Sequence, residues 1–184
     1  MKKFYLFSLI AAMFAMSFNA LAIENPYPKG TFIGSAHFGF YPGIGANIAG
    51  DYVIEDSWWE GHFTLGGYIG FNTRHYEYVY LDEGYYDRWT NFAIMPRATY
   101  GINISQKFEA HIGLMLGYCY SANYWEWKNV EYHYNGDDSW KHHGFEYGAV
   151  LGCRYQFTNS FAGDFELNYT PHMSYINIGV AFKL

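Results

Sequence analysis

Phe108-Glu109-Ala110-His111-Ile112-Gly113-Leu114-Met115-Leu116-Gly117-Tyr118-Cys119-Tyr120 alternates without a break between bulky apolar residues at even positions and Glu, His, Gly, Met or Cys at odd ones. A period of two puts each set on one face of an extended strand, whereas a helix would scatter both sets around its circumference. The same alternation ends the chain, where Ile176, Ile178, Val180, Phe182 and Leu184 are separated by Asn177, Gly179, Ala181 and Lys183. It returns in Phe145 to Phe157, in Asp164 to Tyr169, in Phe92 to Asn103 and in Phe63 to Phe71. Two shorter segments, Thr31 to Phe40 and Ile44 to Ile54, bring the expected count to about eight strands. No stretch with helical period is left over.

Face chemistry decides what surrounds such a sheet. One face is uniformly bulky and apolar. The other carries glycines together with Asp51, Arg97, Glu109, His111, Glu146, Arg154, Asp164, Glu166 and Lys183. A soluble barrel packs its apolar face inward, and a membrane barrel turns it toward lipid and keeps the polar face for the lumen. Charges pair readily in a narrow lumen, and the glycines have a purpose there, so the expected fold is an all-β, eight-stranded antiparallel up-and-down transmembrane β-barrel with a polar, charged interior. The connections agree, because tight ones (Glu55 to Gly61, Ser105 to Lys107, Asn159 to Ser160) alternate with variable ones (Tyr41 to Gly43, Glu77 to Arg88, Trp125 to His143, Thr170 to Ser174). Short turns facing the periplasm and longer external loops make that pattern. Trp58 and Trp59 fall at the first level, and Tyr76, Trp89, Tyr118 and Trp125 near the second, where aromatic girdles sit.

Composition excludes other classes. With 20 Tyr, 16 Phe and 6 Trp among 184 residues, the chain is far too aromatic for disorder, and 15% charged residues do not make a coiled coil. Met1-Lys2-Lys3, the apolar run to Phe18 and the small residues around Ala20-Leu21-Ala22 read as a signal peptide over 1–22, leaving one domain over 23–184. Without Lys2 and Lys3, 9 of the 11 basic side chains remain against 17 acidic ones, a formal charge of -8 that disfavours nucleic acid.

These residues resemble the small eight-stranded outer-membrane β-barrels of Gram-negative bacteria, the OmpX-like and OmpA-like group, over essentially the whole mature chain. The resemblance implies insertion into the outer membrane, contact with its lipids and lipopolysaccharide, and delivery by the barrel-insertion machinery. Tyr175 to Leu184 looks like the C-terminal signal for that machinery, ending in Leu184 with Phe182 two places earlier.

Within that frame Arg97, Glu109, Arg154, Asp164, Glu166 and Lys183 are expected to form a lumen charge network. Arg154 faces Asp164 and Glu166 across a tight turn. Tyr78, Tyr80, Tyr85, Tyr86, Trp127, Tyr132, Tyr134 and Trp140 are expected as external contacts for a surface glycan or protein, because exposed Tyr and Trp suit such contacts. The function expected is structural or adhesive, with a narrow channel for small or hydrophobic solutes as the alternative. Enzymatic activity is disfavoured, since no histidine lies beside a serine and an acid in a recognisable spacing. No cofactor is indicated. His133, Asp137, Asp138, His142 and His143 hold donor atoms, but adjacent His142 and His143 point to opposite sides of a strand, so no metal site is expected. Asn135-Gly136 predicts the turn of a ribbon projecting from the membrane. That centre puts Cys119 and Cys153 at one level on opposite faces, so free thiols are expected.

Overall fold

The computed structural model describes residues 26–58, 61–80, 83–129 and 135–184, with the backbone alone described at 78–80, 83–85, 127–129 and 135–137. The segment 1–22 expected to be a signal peptide, together with Trp59, Tyr132, Tyr134 and His133, lies outside the described residues. Eight strands follow one another in chain order: β1 Phe32–Phe40, β2 Ile44–Glu55, β3 Gly61–Tyr80, β4 Glu83–Asn103, β5 Phe108–Asn129, β6 Asn135–Gln156, β7 Phe161–Tyr169 and β8 Ile176–Lys183. Each pairs antiparallel with its sequence neighbour, and β8 returns to β1, so the sheet closes and has no edge through the bilayer. Closure satisfies the ladder donors and acceptors where no water is available.

The strands are strongly staggered. The ladder that begins with Phe32 opposite Tyr52 passes through Leu65, Ala98, Leu114 and Ala149 and reaches Tyr169 at the far end of β7. A path that starts at one rim therefore finishes near the other, the tilt that barrel closure requires.

Alternation sorts the two faces as the residues predict. Leu114 is 70% exposed and Phe145 82%, while Glu166 is fully buried. In water that outer surface of Phe, Leu, Ile and Tyr would be a large penalty at roughly 25 cal/mol per Å². Against lipid tails it costs nothing. No described helix is long and apolar enough to span a membrane, and the strands do that work.

Two expectations need correction. Glu77 to Arg88 is mostly paired strand, since β3 and β4 stay in register up to Tyr80 opposite Glu83. The β5–β6 turn is not centred on Asn135-Gly136, because Asn135 already pairs with Lys128. Even register slips keep every side chain on its face, so alternation alone could not choose between the two. The periplasmic ends choose it: Gln156 N donates to Lys107 O at 2.7 Å, and Glu109 stands opposite Arg154. In this register Cys153 pairs with Ala110 and Cys119 with Gly144, far apart along the barrel. Both thiols are free, as expected.

Candidate functional site

The lumen is built in layers. At its periplasmic end Tyr27, Ile33, Val53, Ala162 and Ala181 form an apolar floor. Gln156 Nε2 donates to the Tyr27 hydroxyl there. Lys183, expected in the charge network, is held at this rim instead, where its Nζ donates to Pro26 O at 2.7 Å. It is the last inward residue of β8, too low on the ladder to reach the acids above.

Above the floor the other five expected network residues come together with Asp51. Arg154 Nε donates to Asp164 Oδ2 at 3.0 Å, and its Nη1 to Glu109 Oε1 at 3.2 Å. Arg97 Nη1 donates to Glu166 Oε1 at 3.1 Å, while its Nε and Nη2 grip both oxygens of Asp51. Such bidentate, charge-assisted pairs are short and directional. Asp51 was readable as an inward acid, but its partnership with Arg97 required the β2–β3–β4 register.

Three histidines complete the layer. His111 places Nδ1 3.5 Å from Glu109 Oε1 and Nε2 3.4 Å from Glu166 Oε1. His62 Nε2 lies 3.6 Å from Glu109 Oε1, and His37 Nε2 3.3 Å from Asp164 Oδ2. Among the described residues none of these imidazoles hydrogen-bonds a serine hydroxyl, so no triad-like arrangement forms here.

Glycine explains how so many large polar groups fit. In the ladder Gly66 separates Asp51 from Arg97, Gly101 separates His62 from His111, Gly152 separates His111 from Glu166, and Gly179 separates Asp164 from His37. A methyl group on Gly101 would stand 2.6 Å from Glu109 Oε1, and one on Gly179 2.6 Å from His37 Cδ2. Asp51 thus reaches Arg97, His111 reaches Glu166 and His37 reaches Asp164 across a strand left vacant by glycine, whereas Arg154 meets Glu109 and Asp164 on the strands directly beside it.

Next comes an apolar storey of Tyr68, Met95, Met115, Val150 and Met173. Met173 arrives from the β7–β8 connection, so Thr170 to Ser174 dips into the lumen and does not stand outside it; Thr170 and Ser174 are buried with it. A belt of short polar groups secures this loop. Ser121 Oγ donates to Asn91 Oδ1, Asn91 Nδ2 to Asn72 Oδ1, and Asn72 Nδ2 to Ser174 Oγ.

At the outer end the barrel is uneven. Pairing of β2 with β3 stops at Ile44 opposite Thr73, and pairing of β6 with β7 stops at Ala149 opposite Tyr169. From there β3 to β6 continue as a four-stranded sheet. Tyr78, Tyr80, Tyr85 and Trp127 lie on its strands, described by backbone alone. Tyr86 sits on β4 with the outward parity, and Trp140 is half exposed on β6. The inner face was the less legible one. Trp140 stacks on His142 with ring centroids 5.4 Å apart and packs edge-on to Trp89 at 6.1 Å. Arg74 lies over both Tyr76 and Trp89, 5.0 and 5.2 Å from their centroids, in cation–π contact. Beneath them Arg74, Trp89, Asn72, Asn91, Pro42 and His172 line a vestibule of about 220 Å³. His143 turns away from this face toward Tyr118, so the adjacent pair splits as expected.

No protein-family model and no curated protein matches the sequence. Solved structures do. A major outer membrane protein from Thermus thermophilus superposes with a TM-score of 0.53 at 15% identity, over 84% of this chain and 99% of that one. Neisserial surface protein A gives 0.46 at 14% identity over 85% and 98%, and Ail of Yersinia pestis, crystallised with the heparin analogue sucrose octasulfate, gives 0.43 at 13% over 83% and 92%. With inverted faces, eight strands in sequential order and this likeness, the chain has the fold of a small eight-stranded transmembrane β-barrel, similar to that of the Thermus outer membrane protein.

Proposed function

We propose that this protein is exported by a removable leader over 1–22, resides in the outer membrane, and displays the aromatic inner face of its β3–β6 extension to a partner outside the cell. Its lumen does not conduct. The observation that carries this reading is the set Arg74, Tyr76, Trp89, Trp140 and His142, stacked above a vestibule wide enough for one ring-sized group. Flat amphipathic rings with a cation held among them suit the face of a sugar or an aromatic side chain. The acidic balance of the mature chain favours a neutral glycan or a protein over a sulfated one.

The test uses mature protein in lipid nanodiscs, challenged with neutral glycans and with sulfated ones, beside the Trp140→Ala variant. Binding of a neutral glycan that falls by about tenfold or more in the variant, roughly 1.4 kcal/mol, supports the reading. Preference for the sulfated glycans, or binding untouched by Trp140→Ala, overturns it.

A further inference from the structure

We propose that the lumen holds a divalent transition-metal ion of the zinc class on His37 Nε2 and the carboxylates of Asp164 and Glu166. One ligand atom from each of these buried residues lies within 4.8 Å of the other two. Imidazole with two carboxylates, leaving a fourth position for water, is a donor set that suits such an ion.

The hydrogen-bond relay behind His37 fixes which nitrogen is presented. Asn177 Nδ2 donates to the Ser174 carbonyl, so Asn177 Oδ1 accepts, and it takes Asn47 Nδ2 at 2.8 Å. That leaves Asn47 Oδ1 as an acceptor for His37 Nδ1 at 2.9 Å. The proton of a neutral His37 is therefore on Nδ1, and Nε2 directs a lone pair into the acidic cluster. Nε2 is fully shielded and has no hydrogen-bond partner, and the same is true of Asp164 Oδ1. A lone pair 3.3 Å from a carboxylate oxygen is repulsive unless a cation lies between them. The same spacing is the edge of a tetrahedron whose bonds are about 2.0 Å, the zinc–nitrogen and zinc–oxygen length. Donation by the second ring nitrogen to a fixed acceptor is how ligating histidines are oriented.

Charge points the same way. Asp51, Glu109, Asp164 and Glu166 face Arg97 and Arg154, so four carboxylates meet two guanidinium groups and two negative charges stay buried. One divalent ion neutralises them. The competing occupants are protons, with His37 and His111 both as imidazolium ions.

Mature protein refolded in detergent and stripped with chelator is titrated with Zn(II) for stoichiometry and with Co(II) as a spectroscopic probe. The expected result is one ion retained per barrel after desalting, with the visible bands of four-coordinate Co(II). His37→Gln is expected to weaken retention by about tenfold or more, and His142→Gln and His172→Gln at the outer rim to leave it unchanged. If His37→Gln does not fold, as judged by loss of its heat-modifiable band, nitrogen NMR of the wild-type imidazoles decides, and the His37 Nε2 signal is expected to move on adding Zn(II). A barrel that retains no ion, retention equal in His37→Gln, or a His37 imidazolium signal indifferent to Zn(II) overturns the proposal.

Discussion

The buried charge layer and the projecting sheet are made by the same strands, yet they use alternation in opposite ways. Around Arg97 and Arg154 the inward charges pair inside the barrel, Arg154 with acids on the strands beside it and Arg97 with Asp51 across Gly66 of an intervening strand. Further toward the outer end of β4, Trp89 on the same inward parity meets Trp140 and Arg74 at a mouth open to the outside. Enclosure turns a polar face into a network whose members cannot be removed singly. Release from the ring turns the same face into a surface that can be altered without consequence for the fold.

The comparison is broken most severely by Arg154→Met. It strands Asp164 and Glu109 in the lumen, and a loss of about 3–5 kcal/mol is expected, the cost of an uncompensated buried charge. It is read as a lower temperature for the transition between folded and unfolded bands on a detergent gel. An unchanged transition would show that the layer does not hold the barrel together. Leu114→Arg, on the lipid side of β5, is expected to cost about 2–4 kcal/mol in bilayers, whereas Leu114→Phe is expected to fold normally. Tolerance of the arginine would mean that this face does not meet hydrocarbon.

Replacing residues 77–86 with a short Asn-Gly turn sharpens the contrast from the other side. It is expected to change stability by less than about 1 kcal/mol, since the removed pairs lie beyond the closed ring. Partner binding is expected to persist in the same variant, since Arg74, Tyr76, Trp89, Trp140 and His142 all remain, and its loss would move the contact surface into the replaced segment. The smallest effect is that of reductant. With Cys119 inward and Cys153 outward, gel mobility is expected to be the same with and without it.

Much of the closed ring was legible because the alternation in β5, β7 and β8 carries both the strand and its facing. Arg154 and Asp164 were legible together since they flank one tight turn, and local register follows from turn length. The pairing of Arg97 with Asp51 was not, because it spans an intervening strand and depends on Gly66 and the sheet's closure. Lys183 looked like a member of the network by parity, which reports face but not height. The extension of β3 to β6 was underestimated for a related reason: aromatic, acid-rich segments such as Glu77 to Arg88 carry no apolar face, so the pattern that marks a strand in lipid fades above it although the pairing continues. His37 was visible as a residue and invisible as a site, since its neighbours come from β2, β7 and β8.

The central claim is that a layer of paired charges closes the barrel and leaves function to the outer face. Planar bilayer recording of the refolded mature protein tests it most directly. The account predicts electrical silence over the accessible voltage range, and steady, reproducible conductance steps from the wild-type barrel would contradict it.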